Sequence, residues 1–151
     1  IPQPPHPPVP PFLTPTAAYA LFYNNSATGA TYAAGENIAY QSTLYNTATA
    51  DIVNNNGLIT LSGGTTGKAY LVNYQVTGET ANDATLALAI NGTVDSNSEI
   101  IPNSATGTSN GSYIVNVPAN STSTVALRVV SGTVTTASPT VGSYFSVIRI
   151  A

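Results

Sequence analysis

Cysteine, methionine and tryptophan are absent from this chain of 151 residues. Without cysteine there is no disulfide framework, no thiolate nucleophile and no Cys-based zinc site. The missing residues are also among the most easily oxidised. Charge is nearly as scarce. Lys68, Arg128 and Arg149 are the only cations beside the single His6, and the acids are Glu36, Asp51, Glu79, Asp83, Asp95 and Glu99. Three scattered cations cannot neutralise a run of phosphates, which argues against nucleic acid or an anionic membrane surface as a partner. No apolar run approaches the ~18 residues of a membrane span, and no charged-then-apolar signal segment is visible. Charged residues make up 6% of the chain, against about a quarter in an average soluble domain. So weakly charged a surface, rich in Tyr, Val and Ile, is expected to be covered in large part by further copies of the chain.

What the chain has in excess is proline at its start. Eight of the first fifteen residues are proline, against only Pro102, Pro118 and Pro139 afterwards. Proline fixes φ and removes the backbone donor, so IPQPPHPPVPPFLTPT can join neither a helix nor the interior of a sheet. It is expected to extend as a stiff polyproline II rod of roughly 45 Å, at about 3.1 Å per residue. The rod ends in the apolar pair Phe12 and Leu13, and a preformed rod with an apolar anchor loses little entropy on docking in a groove. Residues 1–16 therefore read as a connector, with Ile1, Pro5, Pro8, Pro11, Phe12 and Leu13 as its docking residues, and 17–151 as one domain.

That domain reads as strands and turns with no helix. Ala17–Asn24, Asn37–Tyr45, Asp51–Val53 and Leu58–Leu61 are candidate strands. Asn56-Gly57 marks a tight hairpin between the last two, because both residues tolerate positive φ. The same dipeptide recurs at Asn91-Gly92 and Asn110-Gly111. Ala69 to Val76 alternates, with Tyr70, Val72, Tyr74 and Val76 on one side and Ala69, Leu71, Asn73 and Gln75 on the other, which predicts one buried face. Leu86, Leu88 and Ile90 repeat the pattern, as do Tyr113, Val115 and Val117. Val125–Val130 and Tyr144–Ala151 complete the series. Eight to ten such strands predict an all-β antiparallel sandwich, most simply a jelly roll.

The last strand, YFSVIRIA, is apolar on both faces: Phe145 and Val147 point one way, Tyr144, Ile148 and Ile150 the other. Something must cover the second face. SYFSVIRI resembles the closing strand of the tumour-necrosis-factor-like and complement-globular-head jelly rolls, and GKAYLVNYQV resembles a central strand of the same family. The resemblance implies a homotrimer, with Phe145 and Val147 in the core beside Tyr70, Val72, Tyr74, Leu86 and Leu88, and Tyr144, Ile148 and Ile150 lining the threefold axis.

A second resemblance joins the two ends of the chain. PPVPPFLTPT, from Pro7 to Thr16, resembles the leader by which collagen-like glycoproteins attach to the exosporium of Bacillus-type spores, proteins that also end in a trimeric jelly roll. Their Gly-X-Y stalk has no counterpart here, since Thr16 runs straight into the first strand. The arrangement is similar to the non-disulfide type of endospore appendage. It implies a structural, non-enzymatic subunit at the spore surface, assembling as a homotrimer and then a polymer, with an exosporium anchor protein and a tip protein as further partners. The alternative is a terminal receptor- or carbohydrate-binding head that the leader merely anchors.

Catalytic and metal-binding readings are weak. His6 sits among prolines with nothing fixed around it. Glu79 and Asp83, in GETANDA, read as loop decoration without an apolar pocket. Asp95, Asn97 and Glu99 have the spacing that opens a calcium loop, but the required glycine is Ile100 and the closing glutamate is Thr106. The run from Gly63 to Lys68 lacks the spacing of a phosphate loop and precedes a strand. Sequons begin at Asn24, Asn91, Asn110 and Asn120. The tyrosine-rich strands fit core or interface better than a sugar platform. No cofactor is expected.

Overall fold

Period-two alternation organises the chain from Tyr19 to Arg149, and the computed structural model shows where each face goes. It describes residues 1–8, 17–25, 30–102, 108–136 and 143–151, with the backbone alone for 79–82. The strands are β1 (Tyr19–Tyr23), β2 (Thr31–Ala33), β3 (Ser42–Asn46), β4 (Ile52–Asn55), β5 (Leu58–Ser62), β6 (Lys68–Ile90), β7 (Thr93–Val94), β8 (Thr108–Val117), β9 (Thr122–Thr136) and β10 (Tyr144–Arg149). All pairings among them are antiparallel.

Two sheets face each other and share β6. Its first half, to Thr77, pairs with β10 on one side and β8 on the other, and the sheet continues through β1 to β3. Its second half pairs with β9, which carries β5 and β4 and, further along, β2. The inner faces interdigitate: Phe22, Tyr70, Val72, Tyr74, Phe145 and Val147 meet Ile52, Ile59, Leu61, Leu86, Leu88 and Leu127, all buried. Each such aliphatic or aromatic side chain contributes about 1.5–3 kcal/mol by leaving water. Phe145 joins two tyrosines in the core, edge-on to Tyr40 at 5.7 Å and stacked on Tyr74 at 6.4 Å between ring centroids.

Buried phenols keep their hydroxyls satisfied, as a low-dielectric interior demands. Tyr40 donates to the Gln75 carbonyl at 2.9 Å, Tyr70 to Ser62 at 2.6 Å and Tyr74 to Ser98 at 2.7 Å. Burial pushes the Tyr40 phenol far above its ordinary range and raises that of Tyr74. Tyr70 is pushed up to about 12, first by burial and then by the carboxylate of Asp51.

Three readings of the sequence need correction. Asn56-Gly57 and Asn91-Gly92 do turn hairpins, β4–β5 and β6–β7, with positive φ at both residues of each. Asn110-Gly111 instead lies inside β8, where Gly111 opposes Tyr74. The expected loop around Glu79 and Asp83 is strand: β6 runs unbroken for 23 residues. Register shifts after Gly78 and Asn82, with Asp83 at φ 48°, pass it from one sheet to the other. Such bulges add twist without ending the ladder. Finally, the strand expected over Asn37–Tyr45 is confined to β3, and Asn37 makes only an isolated bridge to Arg128. Among the described residues one short 3-10 turn, Ser96–Ser98, interrupts the β structure.

Candidate functional site: the outer face of the first sheet

The sheet β3-β1-β10-β6-β8 turns its second face away from the core. Register aligns residues of that face into rows across the strands. Tyr19, Ile148, Leu71 and Ile114 stand side by side on β1, β10, β6 and β8. Cross-strand neighbours of this kind lie about 4.5–5.5 Å apart, so the four form a continuous apolar stripe. Ile150 and Ala69 extend it past the end of β10, where the Ile150 amide bonds to the Ala69 carbonyl at 2.8 Å. Ile114 is 54% exposed and Ile150 50%, so the stripe meets water, whereas Phe145 and Val147 on the other parity are fully buried. Ile148 is half-buried between its row neighbours.

The next rows along the strands are polar at their centre and aromatic at the β1–β3 side. Tyr45, Leu21, Ser146, Asn73 and Ser112 make one; Tyr23, Tyr144, Gln75 and Asn110 make the other. Tyr19 and Tyr45 meet edge to face at 5.5 Å. The Asn73 carboxamide links two hydroxyls, accepting from Ser112 at 2.5 Å and donating to Ser146 at 3.4 Å. These rows enclose a cleft of about 250 Å³, lined by Leu21, Asn73, Tyr74, Gln75, Asn110, Gly111, Ser112, Tyr144 and Ser146.

Other sequence-singled residues lie elsewhere. Ile1, Pro5, His6 and Pro8 are exposed, and Pro11, Phe12 and Leu13 lie outside the described residues. Asp95 caps the 3-10 turn, accepting from the Asn97 amide at 2.9 Å and from the Tyr113 hydroxyl at 2.5 Å. The Tyr113 bond holds the Asp95 carboxyl below its ordinary value and pushes the phenol up. A structural cap explains the spacing of Asp95, Asn97 and Glu99, Thr106 lies outside the described residues, and no metal-holding group of three or more His, Cys, Asp or Glu occurs among the described residues. Gly63 to Gly67 turns β5 into β6, and Lys68 beyond it pairs with Asp51 at 2.8 Å. Of the sequon residues, Asn24 is buried and donates to the Ala39 carbonyl. No helix among the described residues is long and apolar enough to cross a membrane. Sequence reasoning placed Leu71 on the second side of its strand but missed its row with Tyr19 and Ile114, which only register reveals.

Strand order, the shared β6 and the two packed inner faces define an antiparallel jelly-roll sandwich of the tumour-necrosis-factor and complement-head type. No protein-family model matches the chain, and no curated protein matches it. Among solved structures it is similar to the tumour necrosis factor Eiger from S. frugiperda, at 12% identity over 89% of this chain and 92% of that one, with a TM-score of 0.63. The globular domain of the zebrafish complement 1qA protein aligns at 12% identity over 89% and 98%, with a TM-score of 0.57. Rabbit GITRL follows at 11% over 89% and 95%, with 0.52. Likeness at these identities concerns the fold.

Proposed function

We propose that the chain is a non-enzymatic structural subunit that assembles as a homotrimer through the outer face of the first sheet, and that residues 1–16 join trimers head to tail into a spore-surface fibre. The apolar stripe Tyr19–Ile148–Leu71–Ile114, continued by Ile150, carries this reading. A stripe crossing four strands loses its hydration cost only when another surface lies over it, and a chain with 6% charged residues offers a second copy of itself as the natural cover. The fold agrees with the threefold arrangement implied by the closing strand. The fibre and its spore location rest on the leader, whose resemblance covers Pro7 to Thr16.

Light scattering of the full chain tests the first part, with three times 15.4 kDa as the expected mass. Negative-stain microscopy tests the second: fibres from the full chain, and discrete trimers after deletion of residues 1–15. A monomer overturns the interface, and fibres of normal length from the truncated chain overturn the connector in favour of an anchored binding head.

A further inference from the structure

We propose that the chain carries one self-modifying residue: Asn91, at the tip of the β6–β7 hairpin, closes on the backbone nitrogen of Gly92 to a succinimide and reopens as aspartate or isoaspartate. The hairpin belongs to the second sheet, so the inference stands apart from the trimer and fibre readings.

The chain holds three Asn-Gly pairs, at positions 56, 91 and 110. Glycine has no Cβ to obstruct its nitrogen, which favours the same reaction at all three. The glycine amide gives its proton to water, its nitrogen bonds to the asparagine Cγ, and the Cγ–Nδ2 bond breaks to release ammonia. Water then opens the ring at either carbonyl and leaves a carboxylate where the carboxamide stood. No reactant but water is needed. Attack requires the backbone to rotate between the two residues, so the segment must open locally.

The fold makes the three pairs unequal. The Gly57 amide is committed to Asn54 Oδ1 at 2.8 Å. Gly57 is buried, and a Cβ there would lie 2.3 Å from the Ile38 carbonyl. Its hairpin is held by four residue pairs. Asn110 and Gly111 sit within the ten-pair ladder of β6 and β8, and opening them means parting two long strands. Asn91 and Gly92 are exposed. Nothing lies within 4 Å of a Cβ built on Gly92, and its amide makes no hydrogen bond among the described residues. Two residue pairs hold this hairpin, with one further bond from the Asp95 amide to the Leu88 carbonyl at 2.9 Å. Local opening costs least where so few bonds must break.

The carboxamide is also set for attack. The Thr124 amide donates to Asn91 Oδ1 at 2.9 Å, the atom on which negative charge develops as nitrogen adds to Cγ. A donor already aimed there stabilises that charge without reorganisation. Nδ2, the leaving group, makes no hydrogen bond among the described residues. Arg128 lies alongside, its guanidinium 3.2 Å from the Gly92 carbonyl. Both ion pairs among the described residues go to Asp51, so the new carboxylate arises beside a cation that has no acidic partner there.

The full chain tests this without any variant. It is held at pH 9 and 37 °C, folded and in concentrated urea, sampled over weeks and cut at its acidic residues, which leave the three asparagines in separate peptides. Fragment masses then locate each gain of one mass unit. In the folded chain Asn91 should convert about tenfold or more faster than Asn56 and Asn110, and in urea the three should convert at similar rates. Asn56 or Asn110 keeping pace with Asn91 in the folded chain overturns the proposal, as does an unchanged Asn91. The same ratio of rates in urea also overturns it, because the selectivity would then belong to the sequence and not to the fold. Isoelectric focusing gives a second readout: the acidic species that accumulates in the native chain should be missing from Asn91→Gln, and its persistence would put the modification elsewhere.

Discussion

Tyr74 and Gly111 face each other across β6 and β8 so closely that a Cβ at position 111 would lie 2.6 Å from the Tyr74 ring and its hydroxyl. Glycine here serves close packing and not a turn. The phenol passes under the bare backbone to reach the Ser98 carbonyl at 2.7 Å. Gly111→Ala must displace the ring or the strand, and overpacking of this kind costs roughly 1–3 kcal/mol. Urea unfolding should show that loss, while Asn116→Ala, exposed on the same strand, should stay within about 0.5 kcal/mol. An unchanged midpoint for Gly111→Ala would show that the ring has room elsewhere.

The buried phenols predict alkaline instability. Tyr40, Tyr70 and Tyr74 are all raised by burial, Tyr70 to about 12. Their folded values exceed the unfolded value near 10, so the folded chain holds protons that the unfolded chain releases. Their stabilising effect is complete below the unfolded value and falls as pH rises above 10, for Tyr70 until about 12, by up to about 1.4 kcal/mol per pH unit for each tyrosine still protonated only in the folded chain. Urea unfolding at pH 8, 10, 11 and 12 measures the slope. Equal stability at pH 8 and 11 would contradict the burial of these hydroxyls.

The strands with strict alternation were legible in the sequence: Tyr70, Val72 and Tyr74 declare one buried face because each step of two returns to the same side. Asn110-Gly111 was misread since the dipeptide signals freedom of φ, and the same absence of a Cβ also serves a neighbouring ring. Gly78 to Ala84 looked like a loop because Gly, Asn and Asp are usual there; the long-range ladder to β9 overrides that preference. The two-faced character of Tyr144–Ala151 pointed to a covered second face. The stripe and the cleft were out of reach, because Tyr19, Leu71 and Ile114 become neighbours only through strand register.

Asp51 is held between two cations, 2.8 Å from Lys68 Nζ and 3.4 Å from Arg149. All three side chains are largely covered, at 19% to 34% exposure, so removing the acid leaves two positive groups facing each other. Asp51→Ala should cost about 1–3 kcal/mol. Lys68→Ala should cost less, since Arg149 remains to pair with Asp51. Thermal unfolding at low and high salt separates the two, with the Asp51→Ala deficit shrinking as salt screens the remaining repulsion. A variant as stable as the native chain would reduce the cluster to surface decoration.

Ile148 and Phe12 should fail differently. Ile148 sits mid-stripe, between Tyr19 and Leu71, and Ile148→Asp would bring up to three carboxylates together in the proposed interface without partners, an arrangement ions do not survive. The trimer should be lost outright, and light scattering should report single chains. Fibres should disappear with it, because three connectors acting together bind at high effective concentration and one alone does not. Phe12→Ala removes an anchor from each connector and leaves the stripe intact. Trimers should persist, and fibres should be shorter and dissociate on dilution. Trimers surviving Ile148→Asp would place the interface on another face; fibres indifferent to Phe12→Ala would mean that the prolines alone carry the junction.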